Sequence, residues 1–214
     1  MPARFLADLD NVLPSDLPER SRVVTGVAEH LALVARVNEY MNLTRILSPR
    51  DAAIKHALDS LMPWRLVEPY SSVLDIGSGG GFPGIPLALA LPGTRFLLAE
   101  SIQKKAQFLR DAASALGLEN VDVVAERAEA VLKTRAFGAT TARAVAPLEK
   151  LVRLLSPVAK NAGRLLLYKG RDAKREMDEA QSELGRRRLD ARIAMEYELP
   201  DDAGRRFIVE VSGR

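Results

Sequence analysis

The sequence predicts an α/β fold: a mostly parallel, seven-stranded sheet with helices on both faces, closed by an antiparallel carboxyl-terminal hairpin and preceded by a helical extension. Three observations carry this expectation. From Ser72 onward, short β-branched or leucine-rich runs alternate with helical segments, the alternation that winds helices onto a parallel sheet. A glycine-rich stretch joins the first of these runs to the helix that follows it. The last two runs show period-two alternation across a short polar turn, the pattern of a hairpin. A chain of 214 residues with 47% apolar content can bury one core well and is too short for two full-size domains. Residues 1–70 are therefore read as a helical extension and 71–214 as the sheet domain, a single compact unit.

The elements follow in order. In the extension, Val23, Val27, Leu31, Val34 and Val37 recur at three- and four-residue spacing, which gives a helix one apolar face. Pro18 suits its first turn and Asn42 its end. A second helix is expected over 51–62, stopped by Pro63. Strands are expected over 73–76, 95–100, 121–124, 139–142 and 164–168, with helices over 104–116 and 148–160 between them. After Gly170, a helix over about 172–184 leads into the paired runs 189–199 and 205–211, separated by Pro200-Asp201-Asp202-Ala203-Gly204.

Composition removes several classes of function. The absence of cysteine excludes disulfide scaffolds, thiolate zinc sites, iron–sulfur clusters and cysteine nucleophiles. No apolar run approaches the ~20 residues of a membrane helix, and Asp8 and Asp10 fall where a signal peptide would place its apolar core. A soluble cytoplasmic protein is expected, with no membrane partner. Lys and Arg total 31 against 28 Asp and Glu, a net charge of +3 that permits a polyanionic partner without demanding one. Only His30 and His56 could supply imidazole to a metal, so no metal site is expected.

The most informative segment is Asp75-Ile76-Gly77-Ser78-Gly79-Gly80-Gly81-Phe82-Pro83-Gly84-Ile85-Pro86, which leaves a strand and opens a helix. Gly77, Gly79 and Gly81 can take positive φ and bring backbone amides close to a ligand, and the helix start adds free N–H groups. Asp75 places a carboxylate beside that loop, suited to a cationic group or a ligand amine. Read in another frame, Gly79, Gly81 and Gly84 satisfy the dinucleotide fingerprint, with Glu100 as the acid about 20 residues on. In either frame Glu100, ending the second strand, can accept hydrogen bonds from ribose hydroxyls; an acid capping the next helix is its bland alternative. S-adenosylmethionine is favoured over a nicotinamide dinucleotide. The acid precedes the glycines, Pro83 and Pro86 crowd the helix start, a hairpin closes the sheet, and no Ser/Tyr/Lys triplet or placed histidine is available to move a proton in hydride transfer.

Beyond this loop, Asn42-Leu43-Thr44, His56-x-x-Asp59-Ser60-Leu61, the Asp75 motif running on through Pro83-Gly84-Ile85-Pro86-Leu87, Arg143-Ala144 and Tyr168-Lys169-Gly170 occur in one order. This combination resembles the small-subunit ribosomal RNA methyltransferase G family, also called glucose-inhibited division protein B, over nearly the whole chain from about residue 20. The resemblance implies a class I S-adenosylmethionine-dependent methyltransferase, Rossmann-like in its sheet. It would act in the cytoplasm on N7 of guanine 527, in the 530 loop of 16S rRNA, with the rRNA or the small ribosomal subunit as partner. Matched by motif, Gly77, Phe82, Ala128, Glu129 and Arg143 would hold the cofactor; Gly79, Gly81 and Glu100 join them from the fold logic above. The family usually carries Asp-Ser at the end of the second strand, where this chain has Glu100-Ser101.

Guanine N7 has a free in-plane lone pair, so its methylation needs alignment and exclusion of water and no general base. No catalytic acid or base is assigned. Asn42, His56, Asp59, Arg143 and Lys169 are candidate RNA contacts. His56 and Asp59, three apart, share a helix face, where they could equally pin the extension to the sheet. His30, amid an apolar stretch, is read as a packed structural histidine. The basic groups Arg171, Lys174 and Arg175, and Arg186 to Arg188, are interrupted by acids and read as a mixed helix surface. Aromatic residues make up 5% of the chain, too few for a base-stacking platform. The amino-terminal helices are the candidates to cover the target base, and a monomer is expected. A nicotinamide-dependent oxidoreductase and a non-catalytic ribosome-assembly protein stand as the alternatives.

Overall fold

The computed structural model describes residues 2–46 and 48–213. It contains the expected seven-stranded sheet: β1 (Ser72–Ile76), β2 (Arg95–Ala99), β3 (Val121–Val124), β4 (Ala139–Arg143), β5 (Arg164–Lys169), β6 (Leu189–Leu199) and β7 (Gly204–Gly213). Their order across the sheet is β3-β2-β1-β4-β5-β7-β6. The pairs among β1 to β5 are parallel, and β7 runs antiparallel between β5 and β6. This is the architecture of a class I S-adenosylmethionine-dependent methyltransferase.

The crossovers place α6 (Gly84–Ala90), α7 (Gln103–Ala115), α8 (Ala128–Thr134), α9 (Leu148–Leu155), α10 (Ala159–Ala162) and α11 (Ala173–Arg186) around this sheet. The extension contributes α1 (Ala3–Val12), α2 (Arg20–Met41), α3 (Pro49–Ala52), α4 (Asp59–Leu61) and α5 (Trp64–Val67). Between α3 and α4 the chain continues without a break through a π-helical segment, Ala53–Leu58. The expected helix over 148–160 is instead α9, a 3-10 turn at Ser156–Val158 and α10, because Pro157 cannot continue the α9 hydrogen bonds. Short α1, α5 and α8 have no counterpart among the sequence-based expectations.

Side chains of β1 alternate between two cores: Val73 packs with the extension, α6 and α7, while Leu74 and Ile76 pack with α8, α9 and α11. Helix α6 is buried at all seven positions, since the sheet covers one side and α2 the other. Register places Asp75 opposite Leu98 and Thr141, so the chain leaves β1, β2 and β4 at one edge. The strand order reverses between β1 and β4 at that edge, where open α/β sheets bind their ligands.

Candidate functional site

The glycine loop turns at the carboxyl end of β1. Gly77, Gly79 and Gly81 all take positive φ, at 65°, 54° and 91°, conformations that side-chain-bearing residues rarely adopt. Backbone bonds fold the loop back on the sheet: Gly77 N–H donates to the Ala99 carbonyl, and Gly81 N–H to that of Ser78. Glu100 locks it from the side. One carboxylate oxygen accepts from Gly79 N–H at 3.1 Å and the other from Ile102 N–H at 2.8 Å. The carboxylate has about four acceptor directions and uses two, so it steadies the loop and keeps capacity for hydroxyl donors. The bond to Ile102 N–H at the entry to the next helix is the capping role the sequence offered as the alternative to ribose binding, and the bond to Gly79 is one it did not foresee.

Asp75 sits beneath the loop, fully buried. Its Oδ1 accepts from the Thr141 hydroxyl at 2.8 Å, and Oδ2 lies beside Gly84 without a hydrogen-bond partner among the described residues. Burial raises its pKa to about 6, against the hydroxyls of Thr141 and Ser78, the Arg143 charge and the Gly84 amide. Fully buried, the carboxylate is not open to the cationic group or ligand amine that the sequence suggested for it.

Phe82, the last residue of the loop before Pro83, is held between two histidines. His56 stacks on it with ring centres 4.4 Å apart and 9° between planes, and His30 lies at 4.5 Å with a 35° tilt. His30 is fully buried, and its Nε2 donates to the Gly80 carbonyl at 2.8 Å. Arg143 donates to His56 Nδ1, at 3.3 Å, which assigns the ring hydrogen to Nε2, facing the Thr44 hydroxyl at 2.8 Å. Desolvation lowers the pKa of His30 to about 4; His56 falls to about 3 through desolvation, with the Arg143 charge second. Both rings are neutral at physiological pH.

Arg143 leaves β4 and reaches the extension. It donates to the Lys55 carbonyl at 2.9 Å and to Asp59 Oδ2 at 3.1 Å, and its guanidinium carbon lies 5.4 Å from the Phe82 ring centre. Asp59 is 5% exposed; its other oxygen accepts from the Tyr197 hydroxyl at 2.9 Å, with Arg206 Nε 3.6 Å away. The π-helical segment carries Lys55 and His56, and Asp59 follows it directly. Such segments occur often at functional sites.

Beside the loop, at the ends of β4 and β5, opens a cleft of about 670 Å³. Its walls include His56, Asp59, Arg143, Val145, Lys169 and Glu176. Val145 separates it from the loop: a Cβ on Gly77 would stand 3.0 Å from Val145 Cγ2. Lys169 is buried, with Nζ bonded to the Ala146 carbonyl at 2.8 Å and to Glu176 Oε2 at 2.7 Å.

The structure thus brings Gly77, Gly79, Gly81, Phe82 and Glu100 together at one site, with His56, Asp59 and Arg143 against it. Ala128 and Glu129 open α8, which follows β3 at the same edge. Asn42 caps α2 in the left-handed conformation and is exposed. Val145, Glu176 and the support His30 gives to the loop were missed in the sequence. The contact of His30 with Gly80 spans 50 residues and leaves no local pattern, whereas Glu176 had a readable one, an acid one turn into a helix that follows Lys169-Gly170.

The residues fit the nucleoside cofactor that the loop motif suggests. A Cβ on Gly79 would meet only the Gly77 carbonyl, at 3.7 Å, so open space lies over that turn.

Residues 25–193 match the family described as rRNA small subunit methyltransferase G. The chain is 53% identical over 207 residues to ribosomal RNA small subunit methyltransferase G of Solibacter usitatus, a match spanning 97% of this chain and 99% of that one. It is 36% identical over 213 residues to the protein of the same name from Stenotrophomonas maltophilia, spanning 100% and 97%. Among solved structures it resembles cofactor-bound Rv0187 from MTB, with a TM-score of 0.59 and 20% identity, covering 85% of this chain and 88% of that one. It also resembles the O-methyltransferase TomG of Streptomyces achromogenes in complex with SAM, with a TM-score of 0.59 and 16% identity, covering 87% and 90%. At these identities the structural likeness speaks for the fold alone.

Proposed function

The chain belongs to the rRNA small subunit methyltransferase G family, and from that premise we propose that it transfers the methyl group of S-adenosylmethionine to N7 of guanine 527 in the 530 loop of 16S rRNA. It is an S-adenosylmethionine-dependent methyltransferase of small-subunit rRNA. One juxtaposition carries the finer reading: a positive-φ glycine loop tied to Glu100 for a nucleoside, and across Val145 a cleft with room for a base.

In this reading Gly77, Gly79, Gly81 and Phe82 line the cofactor, Glu100 receives its ribose hydroxyls, and Ala128 with Glu129 borders its base from the β3 side. When bound, S-adenosylmethionine supplies a methyl group on a sulfonium, electrophilic enough for an uncharged nitrogen to take. The protein's own part is positional. His30 and His56 hold Phe82 and keep the loop's shape; Arg143 ties the cleft wall to the extension and covers Phe82; Val145 stands between the two compartments. Watson–Crick pairing leaves the N7 lone pair free, so no side chain has to remove a proton.

The RNA approaches over the extension, with exposed Asn42 making contact. His56, Asp59 and Lys169 shape the cleft through the bonds they already make. Because A-form RNA buries N7 in a narrow groove, the target is read as a loop base or an extruded one. The enzyme works as a monomer in the cytoplasm, where small subunits are assembled. Among the described residues no helix is long and apolar enough to cross a membrane. Family membership displaces the nicotinamide reading of the loop, and a purely structural role in ribosome assembly loses its ground with it.

Labelled methyl transfer from S-adenosylmethionine to rRNA or small subunits, with the product mapped by nuclease digestion and mass spectrometry, tests the reading. Label at N7 of one guanine is expected. Label on an exocyclic amine or a ribose hydroxyl would overturn it.

A further inference from the structure

Resting on the guanine-N7 reading above, we propose that Glu176 is the specificity-determining residue that selects guanine over adenine, accepting a hydrogen bond from the base's N1–H edge through its free carboxylate oxygen.

Adenine also has a nucleophilic N7, so attack at N7 does not distinguish the two purines. The opposite edges differ: guanine presents the donors N1–H and N2–H, whereas adenine presents an acceptor at N1. An acceptor on the far side of the base from the methyl donor discriminates between them without crowding the reacting edge, where O6 and N6 also differ. Two acidic side chains line the cleft, Asp59 and Glu176. Asp59 is spent: one oxygen takes the Tyr197 hydroxyl with Arg206 close by, and the other takes Arg143. Glu176 is not. Its Oε2 accepts both Leu148 N–H and Lys169 Nζ, each at 2.7 Å, while Oε1 makes no hydrogen bond among the described residues. The side chain is 21% exposed, open to whatever occupies the cleft.

The placement fits a purine. The glycine loop ends β1, Lys169 ends β5, and only β4 lies between them. Two strand spacings amount to roughly 10 Å, a span that a purine and its contact distances fill. A base with N7 toward the loop would turn its N1 edge toward the β5 side, where Glu176 is anchored by two bonds that fix its direction. A site built to bond a substrate N–H rejects an analogue lacking it far more strongly than an apolar pocket rejects a change of size.

Glu176→Gln tests this while keeping the geometry of both anchoring hydrogen bonds, at the loss of the charge that faces Lys169. The amide oxygen can still accept from Leu148 and Lys169, while the NH2 group replaces the free acceptor with a donor. Small subunits are reconstituted with guanosine, adenosine or 1-methylguanosine at the target position. The wild type is expected to lose at least tenfold in kcat/KM on 1-methylguanosine, which lacks the N1–H. The variant is expected to lose about tenfold to a hundredfold on guanosine and to lose its preference over adenosine, with affinity for S-adenosylhomocysteine unchanged and a lowered melting temperature from the lost Lys169 counter-charge. Equal transfer to guanosine and 1-methylguanosine by the wild type would overturn the proposal, whether or not the variant folds. So would an unaltered guanosine-to-adenosine ratio in the variant. Failure of the wild type to modify N7 of guanosine at all would instead overturn the reading on which this rests.

Discussion

At the scale of single residues, three buried titratable groups sit against the glycine loop and move stability with pH in opposite directions. In the unfolded chain His30 and His56 take up protons near pH 6.5; in the fold burial holds them to about 4 and 3. Their contribution to stability is complete above pH 6.5 and is lost as the pH falls, because the unfolded state then binds two protons that the folded state refuses. Asp75 works the other way. Its pKa rises from 3.8 to about 6 on folding, so between those values the folded state holds the extra proton. From pH 6 to 4 these groups leave one proton in favour of the unfolded chain, a loss of about 1.4 kcal/mol per pH unit. Urea unfolding over that interval should show stability falling with pH. The double variant His30→Gln, His56→Gln leaves Asp75 to act, and its slope should reverse; parallel slopes in the two proteins would refute the assignment.

At the scale of elements, the glycine loop is the least replaceable piece of backbone. A Cβ at Gly81 would stand 2.6 Å from Ile85 Cδ1 and 2.9 Å from His30 Nε2, at a φ of 91°. Gly81→Ala should cost about 2–3 kcal/mol by chemical denaturation and weaken S-adenosylhomocysteine binding at least tenfold by calorimetry. Gly93→Ala, where a Cβ meets nothing within 4 Å, should change neither; equal effects at the two positions would remove the loop's special status. This loop was legible in the sequence because its chemistry is local: glycines, their spacing, and a strand before them. The strands were legible for the same reason, their β-branched and leucine runs being bounded by turn residues. Helix α1 hides its signal in Phe5, Leu9 and Leu13, spaced by four but over barely three turns. The π-helical turn at Ala53–Leu58 has no sequence period of its own. It carries His56 toward Arg143, whose bond spans 87 residues, and pairs of that separation are decided by the fold as a whole. The glycine loop was therefore readable in advance, and so were His56, Asp59, Arg143 and Lys169 of the cleft wall as residues, while Val145, Glu176 and the long-range bonds that join the wall were missed.

At the scale of the whole molecule, the extension and the sheet domain depend on each other. One buried cluster runs from Phe5 and Leu9 through Val23, Val27 and Leu31 to Ile85 and Leu87 of α6, and on to Phe96 and Leu98 of β2. Helix α6 is apolar all round because both of its sides are covered; without residues 1–70 its outer side would face water. Each large apolar side chain so exposed forfeits about 1.5–3 kcal/mol, and a handful of them equals the whole stability of an ordinary domain. The same cut removes His30 and His56 from Phe82 and leaves Arg143 without Asp59. We therefore expect the full chain to melt in one calorimetric transition with coincident far- and near-ultraviolet dichroism. A fragment spanning 71–214 should show no cooperative transition and no binding of S-adenosylhomocysteine. A fragment that melts cooperatively and binds the nucleoside would mean that the sheet domain is self-sufficient and the extension an attachment serving the RNA alone.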